Sequence, residues 1–270
     1  MTANYGMERT SEEYQRLRFQ ARYWEPATAR LIDRISLPPG ASCLDAGCGP
    51  GETMRLLAER TGPSGQVVGL DSDVSLGVAA QQMLHELGHT NTQVLAHQIQ
   101  PDEPLPGGPY DLVASRLLLL HLPQRVEVLA RLWEAVAPGG HLLIQDYDMA
   151  VLGDAPLSPA MDAYKQVMDD AFGGLGVDLR TGTRLPVLFA EAGIGAPDGT
   201  DIAGEVGTLA SSQPMLEQVV RGVLPAAVAV GAMDAMRAES VLRGLAQEAA
   251  EFPDRPMLPP LLVGAWKRKG

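Results

Sequence analysis

From residue 37 to residue 150 the chain alternates between short apolar runs and longer stretches whose apolar positions recur at helical spacing. The apolar runs predict strands over 41–47, 66–70, 93–96, 110–115 and 141–145. The amphipathic stretches predict helices over 52–60, 74–88 and 123–137, punctuated by turns such as LPPG and GPSG. Strands that alternate with helices of this length imply βαβ units and an α/β fold with a parallel sheet. Crossovers in such sheets are right-handed, and ligands sit at the carboxyl ends of the strands. Residues 10–35 read as helical, with a break at Pro26. After residue 150 the rhythm changes to helices over 158–173, 184–192, 212–230 and 233–251, then an extended segment over 257–268. The pair at 212–251 carries Val219, Val220, Val223, Met233, Met236, Leu242 and Leu245, more apolar surface than an exposed pair needs. It packs on the core, on a partner chain or on an apolar substrate.

Composition narrows the classes. A chain of 270 residues can bury a full core. With 33 acidic and 21 basic residues the formal charge is −12, which does not attract phosphate backbones, so no nucleic-acid partner is expected. The N-terminal segment lacks the apolar stretch of a signal peptide, and no apolar run reaches about 18 residues, so no membrane insertion is expected. Cys43 and Cys48 are too few for a disulfide scaffold and read as reduced thiols of a cytoplasmic protein.

The segment LDAGCGPG, residues 44–51, carries the chemistry. A strand enters, glycines follow at alternate positions, and a helix leaves. Glycine permits a tight turn and lets a ligand approach the backbone. A bare strand-to-helix turn is the plainest reading. A dinucleotide fingerprint is the second, but its sixth position is Glu52, whose carboxylate would repel a pyrophosphate at the helix start. No Gly-Lys-Ser/Thr follows, so this is not a P-loop. The loop suits a ligand without phosphates.

LDAGCGPG resembles the first motif of class I S-adenosylmethionine-dependent methyltransferases. VVGLDSD resembles the second, with Asp71 closing the strand. PYDLVASRLLLLHL and LARLWEAVAPGGHLLIQD are similar to the fourth- and fifth-strand motifs, and QARYWEPATARLIDRI to the lead-in helices. Within that family the chain is similar to the branch of ubiquinone and menaquinone methyltransferases and small-molecule enzymes. The likeness covers about residues 15–195. It implies a Rossmann-like, doubly wound, mostly parallel seven-stranded sheet with helices on both faces and inserted C-terminal helices as a lid. It implies a single domain over 1–270: N-terminal helices over 1–36, a donor-binding core over 37–150, and a remainder over 151–270 with lid helices near 155–175 and 212–251.

The implied cofactor is S-adenosyl-L-methionine. Asp71 would accept from the ribose hydroxyls, with helix capping as its other reading. Asp45 would orient the loop, and Gly47, Cys48, Gly49 and Gly51 would lie along the methionine end. Ser72 would lie beside the adenosine, Gln98 and Ile99 would flank the adenine, and Ser115 and Arg116 would line the fourth-strand edge. Methyl transfer needs nucleophile, methyl and sulfur in line, and a base only where a proton must leave. His121, after the fourth strand, is a candidate base or a structural cap of the next helix. Asp146 and Tyr147, after the fifth strand, are candidates to bind acceptor or take a proton, with capping as the alternative for Asp146. No metal site is expected: His85 and His89 are two ligands without a third, and Asp169 and Asp170 lack companions.

The expected function is methylation of a small, largely apolar organic metabolite, with a quinone or a natural product as examples. The competing readings are a protein of the same fold that binds the donor for another reaction or a regulatory task, and an NAD-dependent oxidoreductase. A homodimer stays open.

Overall fold

The computed structural model describes residues 11–152 and 158–270. Two helices lead in, α1 (Ser11–Tyr23) and α2 (Glu25–Ile35). The break falls at Trp24, not at Pro26, because Pro26 sits in the first turn of α2, where a missing N–H costs nothing. There follow β1 (Ser42–Ala46), α3 (Glu52–Thr61), β2 (Gln66–Asp71), α4 (Val74–Glu86), β3 (Thr92–Ala96) and β4 (Tyr110–Arg116). A single 3₁₀ turn, Leu119–His121, precedes α5 (Arg125–Glu134) and β5 (Val136–Asp148). Beyond it run α6 (Pro159–Gly174), α7 (Thr181–Glu191), β6 (Gly199–Ala203), β7 (Gly207–Thr208), α8 (Leu209–Ala229), α9 (Ala235–Glu251), β8 (Pro256–Met257) and β9 (Leu261–Arg268).

Seven strands form one sheet in the order β3-β2-β1-β4-β5-β9-β6. Pairing is parallel except at β9, which is antiparallel to both β5 and β6. The order reverses between β1 and β4, and that switch point opens a crevice at the carboxyl ends. Alternate strand residues face opposite helix layers. Leu44, Val68, Val113 and Ile144 pack with α5 and α7 residues such as Leu129 and Phe189. Cys43, Val67, Leu112 and Leu143 pack with Ile32, Leu57 and Leu84 from α2, α3 and α4.

Helices α6, α8 and α9 form a third core of their own, around Tyr164, Met168, Val220, Leu242 and Leu245. They stand between β5 and β9 in the chain, as inserted helices. The expected lid start near 155 lies outside the described residues. A short segment stitches this cap to the sheet. Asp178 N–H donates to Leu120 O at 2.9 Å and Met149 N–H to Leu179 O at 2.8 Å. The Asp178 carboxylate pairs with Arg125 at 2.5 Å and Arg184 at 2.7 Å.

Several elements differ from the sequence pattern: α8 starts at Leu209, the short pair β7–β8 has no counterpart in it, and three more are instructive. Helix α5 stops at Glu134 and β5 begins at Val136, because the expected Pro-Gly-Gly stop lies inside the strand beside a bulge between Tyr110 and Leu112. Helix α7 starts at Thr181, earlier than 184. Strand β6 has no counterpart in the sequence pattern; its residues alternate between half-buried and exposed, so no apolar run marks it.

Candidate active site

The first wall of the crevice is backbone. After β1, Gly47, Gly49 and Gly51 take φ of +75°, +50° and +83°. Gly47 N–H and Cys48 N–H both donate to Leu70 O, at 2.8 and 2.9 Å, which ties the loop to β2. Gly49 N–H donates to Asp71 Oδ2 at 2.8 Å, and Asp73 N–H to Asp71 Oδ1 at 2.9 Å. Helix α4 is capped instead by Asp73, which accepts from Ser75 and Leu76 N–H. The capping role considered for Asp71 therefore belongs to its neighbour. The Gly49 and Asp73 N–H groups hold the Asp71 carboxylate in place at the rim of the crevice.

A cavity of about 260 Å³ runs along this loop. A Cβ at Gly49 would meet nothing within 4 Å, so the loop leaves open space there for a ligand. His97, just after β3, lines the same cavity, and its buried Nε2 has no hydrogen-bond partner among the described residues. An acceptor-rich carboxylate, open backbone and an orphaned ring nitrogen suit the ribose and base of a nucleoside. Gly51 does different work: a Cβ there would lie 3.0 Å from Ala80 Cβ, so it serves close packing on α4.

Glu52, at the start of α3, is buried beneath Arg18 and Arg22 of α1, each at 3.4 Å, and Arg55 at 3.2 Å. It fastens the helix that carries Arg16, Leu17, Gln20 and Ala21 over the cavity.

The second wall comes from the ends of β4 and β5. Leu117 takes φ of +59°, which is strained for a leucine, and leads into the turn that holds His121. His121 lines the cavity, and burial, followed by the charge of Arg16, pulls its pKa down to about 4. It is a neutral imidazole at pH 7. Helix α5 begins at Arg125 behind Gln124, so His121 is not its N-terminal cap. Tyr147 is buried and accepts two hydrogen bonds, from Gln20 Nε2 at 2.7 Å and Trp24 Nε1 at 2.6 Å. Burial raises its pKa, against partial lowering by those two bonds. Arg116 is half-buried, donating to Thr28 Oγ1 at 2.9 Å, and desolvation lowers its pKa. Phe172, Leu179 and Val219 also line the cavity.

Comparison with known proteins gives the family. The family described as Methyltransferase domain matches residues 44–142. A trans-aconitate 2-methyltransferase of Deinococcus radiodurans is 31% identical over 227 residues, covering 80% of this chain and 81% of that one. The chain belongs to the class I S-adenosylmethionine-dependent methyltransferases. A second trans-aconitate 2-methyltransferase, of Variovorax paradoxus, is 32% identical over 134 residues, which are 45% of this chain. The chain spans about half the length of the first curated relatives it matches, 49% in that case. The YcgJ protein of Bacillus subtilis shares the fold, with a TM-score of 0.58 at 14% identity, covering 90% of this chain and 99% of that one. S-adenosylmethionine is the cofactor of this family, and the loop, Asp71 and His97 fit it.

The structure gathers most of the expected residues at one cavity. Gly47, Cys48, Gly49, Asp71, Ser72, Gln98, Ile99, Arg116, His121 and Tyr147 all line it. Four do not. Asp146 is fully buried and accepts from Leu120 N–H at 3.1 Å and Tyr147 N–H at 3.0 Å, which makes it the strut of the His121 turn and not a group at the reacting edge. Ser115 Oγ donates to Ala46 O at 2.8 Å and joins β4 to β1. Gly51 packs on α4. Asp45 lies under the loop, where burial raises its pKa to about 7, Arg116 opposes that rise and Asp71 adds to it. Met233 is buried in the cap core and Met236 is 79% exposed, so the methionines of the cap do not line the cavity; Val219 does. The sequence pattern missed Arg16, Gln20, His97 and Phe172, and only His97 had a signal, its place directly after β3.

Proposed function

We propose that the protein transfers a methyl group from S-adenosylmethionine to a small, largely apolar organic metabolite. The observation that carries this reading is the cavity's two-part lining. One part is glycine backbone with Asp71, and the other is Leu118, Leu120, Leu122, Phe172, Leu179 and Val219; His121 and Tyr147 line the same cavity. The named acceptor of its relatives, trans-aconitate, supports a small molecule as the acceptor.

When bound, S-adenosylmethionine supplies an electrophilic methyl group on a cationic sulfur. Asp71 holds the ribose hydroxyls. Gly49 leaves its approach unobstructed, and Gln98, Ile99 and His97 border the base. Phe172 and Val219 exclude water and align the acceptor, and in-line positioning supplies much of the rate. His121, uncharged above about pH 5, accepts the proton of an acceptor that must lose one.

The test is calorimetry with S-adenosylhomocysteine and with NADH, followed by mass spectrometry of candidate metabolites incubated with the donor. Binding of the homocysteine product and a gain of one methyl mass on a metabolite are expected. Tight NADH binding without S-adenosylhomocysteine binding overturns the reading. Donor binding without any methylated product leaves the same fold in a different reaction.

A further inference from the structure

The hydrogen bonds around Tyr147 have a fixed direction. Arg16 Nη1 donates to Gln20 Oε1 at 3.2 Å. A guanidinium has no acceptor, so this contact settles which end of the Gln20 amide is oxygen. The amide nitrogen then faces Tyr147 and donates to its hydroxyl oxygen. The indole of Trp24 is a donor only, and it takes the other lone pair of that oxygen. Both acceptor positions of the phenol are filled from the N-terminal helices. Its own hydrogen is what remains, and no acceptor for it stands among the described residues. Tyr147 lines the cavity, which is where that hydrogen can go. Trp24 also packs edge-on to Tyr147, with ring centroids 5.9 Å apart, so the phenol ring is held as well as its oxygen.

We propose that Gln20 and Trp24 are positioning residues that lock Tyr147 as a hydrogen-bond donor to the acceptor, and that the acceptor carries a carbonyl oxygen on an otherwise apolar body. The inference rests on the methyltransferase reading and deepens it. It takes Tyr147 out of the candidates for a base, since a phenol that keeps its own hydrogen and points it at the acceptor is a donor there. Burial keeps the phenol protonated at neutral pH, in agreement with the geometry.

The experiment uses the full chain saturated with S-adenosylhomocysteine and two probes of nearly equal size, 4′-hydroxyacetophenone and 4-ethylphenol. They differ at a carbonyl oxygen. Wild-type protein is expected to bind the ketone about tenfold more tightly, the worth of one hydrogen bond. Tyr147→Phe removes the donor and the preference. Gln20→Glu replaces an N–H donor with a carboxylate that accepts the phenol hydrogen, and it also removes the preference. Gln20→Lys is donor-only and keeps it. A merely structural role for residue 20 does not separate those two variants, and their melting temperatures show whether each folds; Tyr147→Phe tests the inference if neither does. Equal binding of the two probes to wild type, binding of neither, or a preference that survives Tyr147→Phe overturns the inference. Failure of S-adenosylhomocysteine to bind wild type removes the methyltransferase reading, and this inference with it.

Discussion

At the donor end, the cavity wall is main chain held in unusual conformations, and the one side chain that matters most, Asp71, spends two of its acceptor positions on loop N–H groups. At the acceptor end, the wall is side chains delivered by elements far apart in sequence: α1, the His121 turn, α6 and α8. The first end belongs to the sheet, whose cores lie on either side of it. The second leans on a cap with a separate core. Recognition by backbone tolerates little change in conformation but is indifferent to most side chains. Recognition by side chains can be altered one residue at a time.

Four measurements probe that division. The largest effect is expected from His121→Ala, which should lower turnover by about 10²–10⁴ if the imidazole takes a proton, with affinity for S-adenosylhomocysteine unchanged. Retained turnover would make catalysis at this end purely positional. Next is Leu242→Ala, in the cap core, which should cost about 2–5 kcal/mol in chemical denaturation, by removing a buried leucine. Donor affinity at temperatures where the variant is folded should not move; if it does, the two ends are one cooperative unit. Asp71→Ala should weaken S-adenosylhomocysteine by about 1–3 kcal/mol in calorimetry, through the lost charged hydrogen bonds. An unchanged affinity would remove Asp71 from the ribose.

The smallest effect concerns pH. Asp45 and Asp146 are buried, and their pKa values rise to about 7. A carboxyl whose folded pKa exceeds its unfolded value stabilises the fold fully at low pH and loses that contribution as pH rises through the folded value. His121 acts in the opposite sense, since its pKa falls to about 4, and its effect is over once the unfolded histidine has deprotonated near pH 6.5. From pH 6 to pH 8 the carboxyls dominate, and stability should fall by about 1 kcal/mol for each of them. Asp45→Asn should reduce the fall, and a melting temperature that rises over this interval would contradict the assignment.

The difference between the ends also decides what can be read from residues alone. A loop built on positive φ must be written with glycines at fixed spacing, and an acid at the end of β2 follows at a set distance, so Gly47, Gly49 and Asp71 were visible. The alternation of apolar runs and helical periods gave the parallel strands β1 to β5 for the same local reason. Strand β6 was not visible because an edge strand with alternating exposure needs no apolar run. Arg16, Gln20 and Phe172 were not visible because their positions follow from where α1 and α6 dock, and docking leaves no mark at the residues themselves. Of the two roles open to Asp146, the structure shows the capping one for a related reason: chain position puts it near the mouth, whereas the strand's pleat turns it inward to the backbone of the His121 turn.

Glu52 has a bearing on the routes by which this loop can evolve. In sequence it is simply the position where a dinucleotide fingerprint would have glycine or alanine. In the folded chain it is the shared ion-pair partner of Arg18, Arg22 and Arg55. A single exchange of Glu52 for a small residue would clear the helix start for a phosphate, but would leave Arg18 and Arg22 of the overlying helix without their shared counter-charge. The path from this loop to a nucleotide-binding one therefore runs through an intermediate whose N-terminal helix is poorly fastened, and compensating changes in α1 would have to come first.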